Sequence, residues 1–197
     1  MNITTLRKIN KLYFGYEEIA RALGIKRDSA RVFANRYVRQ GLLVRVKRNL
    51  YLLKDVWARL GQEELFSIAN TAQVPSYVSL ASALGYYDIY TQIQRNFVES
   101  VAVKRTKEIT TGDTVFNYTK IRKELYFGFV KKGDFFIADP EKALLDALYL
   151  ISLKRYSFDL SSIDFTKIDM VKLKRMSKKF PKNILEALGK YGYIEKA

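Results

Sequence analysis

Eight Lys or Arg residues stand between Lys26 and Arg48 against a single acid, Asp28. They are Lys26, Arg27, Arg31, Arg36, Arg39, Arg45, Lys47 and Arg48. Side chains of this kind do one sort of chemistry well without any catalysis, which is to hold nucleic acid. Arg contacts guanine O6 and N7 bidentately and Asn does the same to adenine, so Arg31, Asn35 and Arg36 on one exposed helix face would be able to read bases. Ser29, near the start of such a helix, suits a phosphate contact beside free backbone N–H groups, and Arg27 and Arg39 extend the same surface. Further on, Arg45 and Lys47 alternate with Val44 and Val46, which predicts a hairpin with one basic and one apolar face, turned by Arg48-Asn49. The blander alternatives are a solvated helix and a charged edge strand that discourages aggregation.

Catalysis has little to stand on. The chain has no His and no Cys, which removes imidazole bases, thiolate nucleophiles and the common soft metal ligands. No glycine-rich phosphate loop is present. Glu99, Asp113 and Glu124 would be able to imitate a metal-nuclease site, but such spacings arise by chance among 20 acids. Asp139 reads as a helix cap, Glu141 as a partner of the helix dipole, and Asp146 as a surface residue or half of a conformation-holding ion pair. The expectation is therefore no catalytic residue, no metal and no cofactor. A second basic run, Lys172, Lys174, Arg175, Lys178, Lys179 and Lys182, has no acid between Met170 and Ile184; it suits phosphate, RNA or a protein partner, or is simply solvated.

The elements that must carry these residues follow from periodicity. Thr4 or Thr5 would cap a first helix to about Tyr13, with Leu6 and Ile9 inward. Tyr16 to Leu23 forms a second, ended by Gly24, and Arg27 to Gln40 a third, ended by Gly41. Ala30, Phe33, Ala34 and Tyr37 fall on the inner side of that third helix, opposite Asp28, Arg31, Asn35, Arg36 and Arg39. Two helices joined by Leu23-Gly24-Ile25-Lys26 make a helix-turn-helix, and the hairpin Val44–Leu52 makes it winged. Lys54 to about Ala72 reads as a linking helix ended by Pro75. Beyond Ser76 a second unit is expected, with a short helix Leu80–Leu84 and strands at Phe97–Val103, Thr114–Tyr118, Tyr126–Val130 and Phe135–Ile137. A helix announced by Asp139-Pro140-Glu141 follows, with Ala143, Leu144, Ala147, Leu148 and Ile151 as its buried stripe and Lys142 and Asp146 off it. Helices around Lys167–Lys179 and Pro181–Lys190 close the chain.

The 197 residues have room for one large or two small cores, and the composition is that of a globular protein. Of the net charge of +15, residues 1–60 hold +10 (14 basic, 4 acidic) and the remainder +5 (21 basic, 16 acidic). That imbalance favours a dedicated nucleic-acid surface in the first third. No apolar run is long enough to span a membrane and Met1 to Lys11 lacks a signal-peptide core, so a cytoplasmic protein is expected. The predicted fold class is α+β: a winged helix-turn-helix over 1–54, a linking helix over 55–75, and a larger mixed α/β domain over 76–197.

Three blocks resemble one family: Gly41-Leu42-Leu43-Val44-Arg45-Val46-Lys47-Arg48-Asn49-Leu50-Tyr51, Ser76-Tyr77-Val78-Ser79-Leu80-Ala81-Ser82-Ala83-Leu84, and Ile137-Ala138-Asp139-Pro140-Glu141-Lys142-Ala143-Leu144-Leu145-Asp146. In order and rough spacing they look like the AbiEi family, the antitoxin and transcriptional-regulator components of type IV toxin–antitoxin (abortive infection) systems. The resemblance implies an N-terminal winged helix on double-stranded DNA repeats of its own promoter. It also implies a C-terminal antitoxin domain, marked by Lys142 and Asp146, that counters a nucleotidyltransferase toxin without a stable complex. A monomer or weak dimer is expected. The chain departs from the family at the wing turn, where Asn49 and Leu50 stand in place of the usual Gly before Tyr. Two other readings remain open: a winged-helix regulator whose C-terminal domain senses a ligand or dimerises, and a metal-dependent nuclease.

Overall fold

The computed structural model describes residues 3–157, 159–184 and 189. It is a mixed α+β structure. Its first part is built from helices α1 (Tyr16–Leu23) and α2 (Arg27–Arg39) and a hairpin of strands β1 (Leu43–Lys47) and β2 (Leu50–Leu53). At the start of α1 the Glu18 carboxylate accepts from the Gly15 N–H at 3.0 Å, and Gly24, at φ 64°, supplies the left-handed turn that ends it. In α2, Ala30, Phe33, Ala34 and Tyr37 are all buried, at the spacing of one helical face. They pack with Leu6, Phe14, Ile19, Leu43, Tyr51 and Leu53 into a small core.

The expected first helix is shorter than its apolar spacing suggests: only a 3₁₀ segment, Ile3–Lys8, forms. Phe14 must be extended to exchange two 2.9 Å backbone hydrogen bonds with Tyr51, adding a bridge to the hairpin, and this pairing stops the helix early. The expected continuous helix over Lys54–Ala72 is likewise two helices, α3 (Lys54–Trp57) and α4 (Gln62–Ala72). Gly61 is extended between them, and its N–H is capped by Glu64 at 3.0 Å.

The second part holds a six-stranded sheet in the order β5-β6-β4-β3-β8-β7. Its strands are β3 (Ser76–Val78), β4 (Phe97–Ala102), β5 (Lys107–Thr111), β6 (Thr114–Lys120), β7 (Phe129–Lys132) and β8 (Phe135–Ala138). The parallel pairs β3/β8 and β4/β6 lie among antiparallel neighbours, so the sheet is mixed. Pleating sorts its side chains. Val78, Tyr118, Phe135 and Ile137 face α4, where Phe66 meets the Phe135 ring edge-on at 5.4 Å and the Tyr118 hydroxyl donates to the Ala69 carbonyl at 2.7 Å. Tyr77 and Val101 face the other way, toward α5 (Leu80–Tyr86) and α6 (Pro140–Ser152). A further helix, α7 (Met170–Ser177), starts where the Asp169 side chain accepts from the Lys172 N–H and packs on α6. The helix expected around Pro181–Lys190 falls partly outside the described residues.

Two strands escape a reading by periodicity. β3 is only three residues long, and β5 (Lys-Glu-Ile-Thr-Thr) buries only Ile109 and Thr111. The strand expected over Tyr126–Val130 begins later, at Phe129, after a 3₁₀ turn over Lys123–Leu125.

The segment over 55–75 does more than link. Phe66, Ile68, Ala69 and Ala72 of α4 belong to the large core beneath the sheet, together with Trp57. So do Val46, Leu50 and Leu52 of the hairpin, while Tyr51 and Leu53 belong to the small core. Strand β2 is thus buried on both faces and is shared by the two cores.

Candidate nucleic-acid interface

Burying one face of α2 leaves the opposite one in solvent. Arg27, Ser29, Arg31, Asn35, Arg36 and Arg39 are all exposed, and Asp28 and Val32 stand among them. Arg31, Asn35, Arg36 and Arg39, at steps of four, one and three, form a row along the helix. Two of the cations are held in place. The Arg27 guanidinium pairs with Glu17 at 2.6 Å, and that of Arg36 lies 5.2 Å from the Tyr37 ring centre and 5.9 Å from that of Phe33.

The hairpin turn closes on the start of α2. Tyr16, Arg27, Asp28, Arg31, Arg48 and Asn49 line a cleft of about 230 Å³ there. Three guanidinium-bearing residues around a helix N-terminus whose first N–H groups have no side-chain cap form a setting for a phosphate. Asn49 sets the geometry of the cleft. It sits at φ 62°, the left-handed conformation that the turn demands, and its Oδ1 accepts from the Tyr16 N–H at 2.6 Å. The turn is thereby fastened to the start of α1, 33 residues away in the chain. Sequence reasoning identified the turn but not the fastening, because nothing local marks so distant a bond.

The expected basic face of the hairpin is only half present. Arg45 is exposed, but the register slips between Arg45 and Lys47, and Lys47 is turned inward. Its ammonium donates to the Thr71 carbonyl of α4 at 2.7 Å. Partial burial, and then Lys107 nearby, lower its pKa. The bulge breaks the strict alternation on which the expectation rested. Tyr13 meets the same residue, its hydroxyl 2.8 Å from that of Thr71. Tyr13 and Lys47 therefore clamp the winged helix to α4.

Lys142 and Asp146 are also placed differently from the expectation that they lie off the buried stripe. Both side chains are fully buried, because α6 is covered on one side by the sheet and α5 and on the other by α7. The two form an ion pair, Lys142 also donates to the Tyr77 hydroxyl at 2.7 Å, and Tyr77 and Ser79 each donate to Asp146 at 2.9 Å. The rings of Tyr77, Phe127 and Phe180 surround the ammonium at 5.2–5.3 Å. Burial lowers the Lys142 pKa and raises that of Asp146, each against the pull of the partner. Gly128, at φ 71°, passes so close that a Cβ there would lie 3.1 Å from Lys142 Cγ and would run into Met176 Cε. With every polar member buried, the cluster is closed to a macromolecular partner and ties β3, α5 and α6 together.

The second basic run is thinned by internal contacts. Lys172 pairs with Glu141 at 2.9 Å and Asp139 at 3.2 Å, and Lys179 lies over the Phe127 ring at 4.3 Å. Lys174, Arg175, Lys178 and Lys182 remain exposed. Glu99, Asp113 and Glu124 do not converge. Glu99 is buried beneath α5, Asp113 accepts from Asn96 at the β5–β6 turn, and Glu124 lies in the 3₁₀ segment after β6. Among the described residues no group of three or more such side chains is placed to hold a metal ion, and no helix is long and apolar enough to cross a membrane.

Two helices at a tight Gly24 turn, a basic outer face on the second, and a hairpin at its flank define a winged helix-turn-helix, followed by a larger mixed α/β part. Residues 3–54 match the family model described as "Transcriptional regulator, AbiEi antitoxin". The AbiEi resemblance is borne out over this stretch, which ends one residue beyond β2. The family is one of transcriptional regulators acting as antitoxins. No curated protein matches the chain.

Proposed function

We propose that the chain is a sequence-specific DNA-binding repressor that serves as the antitoxin of a toxin–antitoxin pair. The observation that carries this reading is the exposed row Arg31, Asn35, Arg36 and Arg39 on α2, adjoined by the cleft between Arg27, Arg31 and Arg48. In it α2 enters the major groove, Arg31 and Asn35 reach base edges, and Arg27, Ser29 and Arg48 hold phosphates. Arg36, resting on its own helix, and Arg39 and Arg45 track the backbone. Lys47 takes no part while it is bound to Thr71.

The target as repeats in the promoter of the gene itself, and the opponent as a nucleotidyltransferase toxin countered without a stable complex, are proposed on the AbiEi likeness. Anisotropy titration on DNA from upstream of the gene tests the first half. If about five basic groups meet phosphates, the log–log salt slope is about −4 to −5. Arg31→Ala or Asn35→Ala weakens binding by about 1–3 kcal/mol and relaxes preference at one base position. Equal affinity for any duplex would overturn the assignment. Co-expression with an adjacent nucleotidyltransferase tests the second half: the chain restores growth, and failure to do so removes the antitoxin role.

A further inference from the structure

A cleft of about 370 Å³ opens in the second part of the molecule, beside the start of α5 and apart from the basic face of α2. Tyr90, Phe97 and Tyr156 contribute aromatic surface, Gln92 and Asn117 contribute amides, and Glu99 of β4 contributes a carboxylate. Glu99 is only 8% exposed. Its Oε2 accepts from the Tyr156 hydroxyl at 3.2 Å, and backbone N–H groups of Ser82 and Ala81 also act on the carboxylate. No Lys or Arg among the described residues forms an ion pair with it. Arg155, the cation lining the same cleft, donates instead to the Lys120 carbonyl at 3.2 Å and to Thr106 Oγ1 at 3.1 Å.

A carboxylate taken out of water without a cation is a costly thing to build, and such groups gather at binding sites. Here it opens onto a cavity large enough for a small molecule and is accompanied by aromatic rings, whose faces attract cations. An amidinium or guanidinium presents two parallel N–H groups to a carboxylate and stacks on such rings, which an alkylammonium does less well. We propose that this cleft binds a small organic cation of the amidinium or guanidinium class, which supplies the countercharge that the protein does not.

Burial pushes the Glu99 pKa up to about 7, against the hydrogen bonds from Tyr156, Ser82 and Ala81. The other groups facing it are Tyr90, Asn117 and, at a distance, Arg155. Binding of a cation therefore strengthens as pH rises through that value.

Benzamidine and its neutral isostere benzamide are suitable probes, titrated calorimetrically into the full chain at about pH 6 and about pH 8. The expected result is benzamidine binding that is several-fold tighter at the higher pH, with benzamide inert. Glu99→Gln keeps the hydrogen-bonding shape of the side chain, and benzamidine affinity should fall about tenfold or more. Ile93→Lys, at a cleft-lining residue that is 40% exposed, puts an ammonium at the mouth and should abolish binding without touching the core, so that a folding defect in the first variant leaves the question answerable. Benzamidine that binds no better than benzamide overturns the proposal, as does binding that survives both substitutions.

Discussion

At the scale of single residues, three sites stand out. Glu99 is a buried acid whose pKa of about 7 lies above its ordinary 4.5. A carboxyl raised in this way contributes stability that is complete below about 4.5 and lost as pH climbs through about 7, because the folded state must then hold a buried charge. The loss is on the order of 3 kcal/mol for about 2.5 pH units. Urea denaturation across this range should show the decline, and Glu99→Gln should flatten it; a decline unchanged in the variant would mean that other groups cause it. Lys142 and Asp146 form the second case. Lys142→Ala strands a buried carboxylate and should cost on the order of 3–5 kcal/mol, whereas Lys142→Met with Asp146→Leu should recover much of the loss. Chemical denaturation of the two variants beside the wild type decides the matter. Asn49 is the third. Alanine there loses the bond to the Tyr16 N–H and must also adopt φ 62°, for about 1–3 kcal/mol in all, while glycine loses only the bond. Thermal melts should rank the chains as wild type, Asn49→Gly, Asn49→Ala.

At the scale of elements, the hairpin is the most unusual part. The wing of a helix-turn-helix needs one apolar face, yet all four residues of β2 are buried, with Leu50 and Leu52 in one core and Tyr51 and Leu53 in the other. Leu52→Ala should therefore cost about 2–5 kcal/mol, as a substitution in a domain interior does, and not the few tenths expected at the edge of a free wing. The same packing explains why Arg45 faces solvent while Lys47 does not. The bulge between them lets β1 bury Leu43 in the small core and Val46 in the large one. Helix α2 has no such double duty, and its outer row of cations is left whole.

For the whole molecule, the shared strand and the clamp of Tyr13 and Lys47 on Thr71 mean that the winged helix and the sheet do not meet as loosely tethered bodies. The chain should unfold in one transition, with coincident loss of far-ultraviolet ellipticity and of the Trp57 signal. Two well-separated transitions would contradict this. A fragment beginning at about Gln73 lacks Phe66, Ile68, Ala69 and Ala72, which fill one side of the large core, and should show no cooperative melt. Repressor and antitoxin activities are better separated by surface variants of the full chain. Arg31→Ala with Asn35→Ala should lose operator binding and keep rescue in a growth assay at matched expression, and loss of both activities together would tie rescue to the DNA surface.

Much of the first fifty residues is legible in the chain itself, because the determinants are local. The spacing of Ala30, Phe33, Ala34 and Tyr37, the glycines after Leu23 and Gln40, and the crowd of cations define α2, its ends and its polar outer face without reference to anything distant. The helix opened by Asp139-Pro140-Glu141 is legible for the same reason. What only the tertiary structure decides is which side of an element is inside when more than one neighbour competes for it. Lys142 and Asp146 look like surface residues on a helical wheel, and they become interior because Tyr77 of β3, Ser79 at the start of α5 and the rings of Phe127 and Phe180 close over them. Lys47 looks like a phosphate ligand until a bulge turns it toward α4. The β3 strand is too short to announce itself, and it exists because β4 and β8 pair with it from either side. Periodicity reports one buried face per element, and this fold buries two wherever its cores and layers meet.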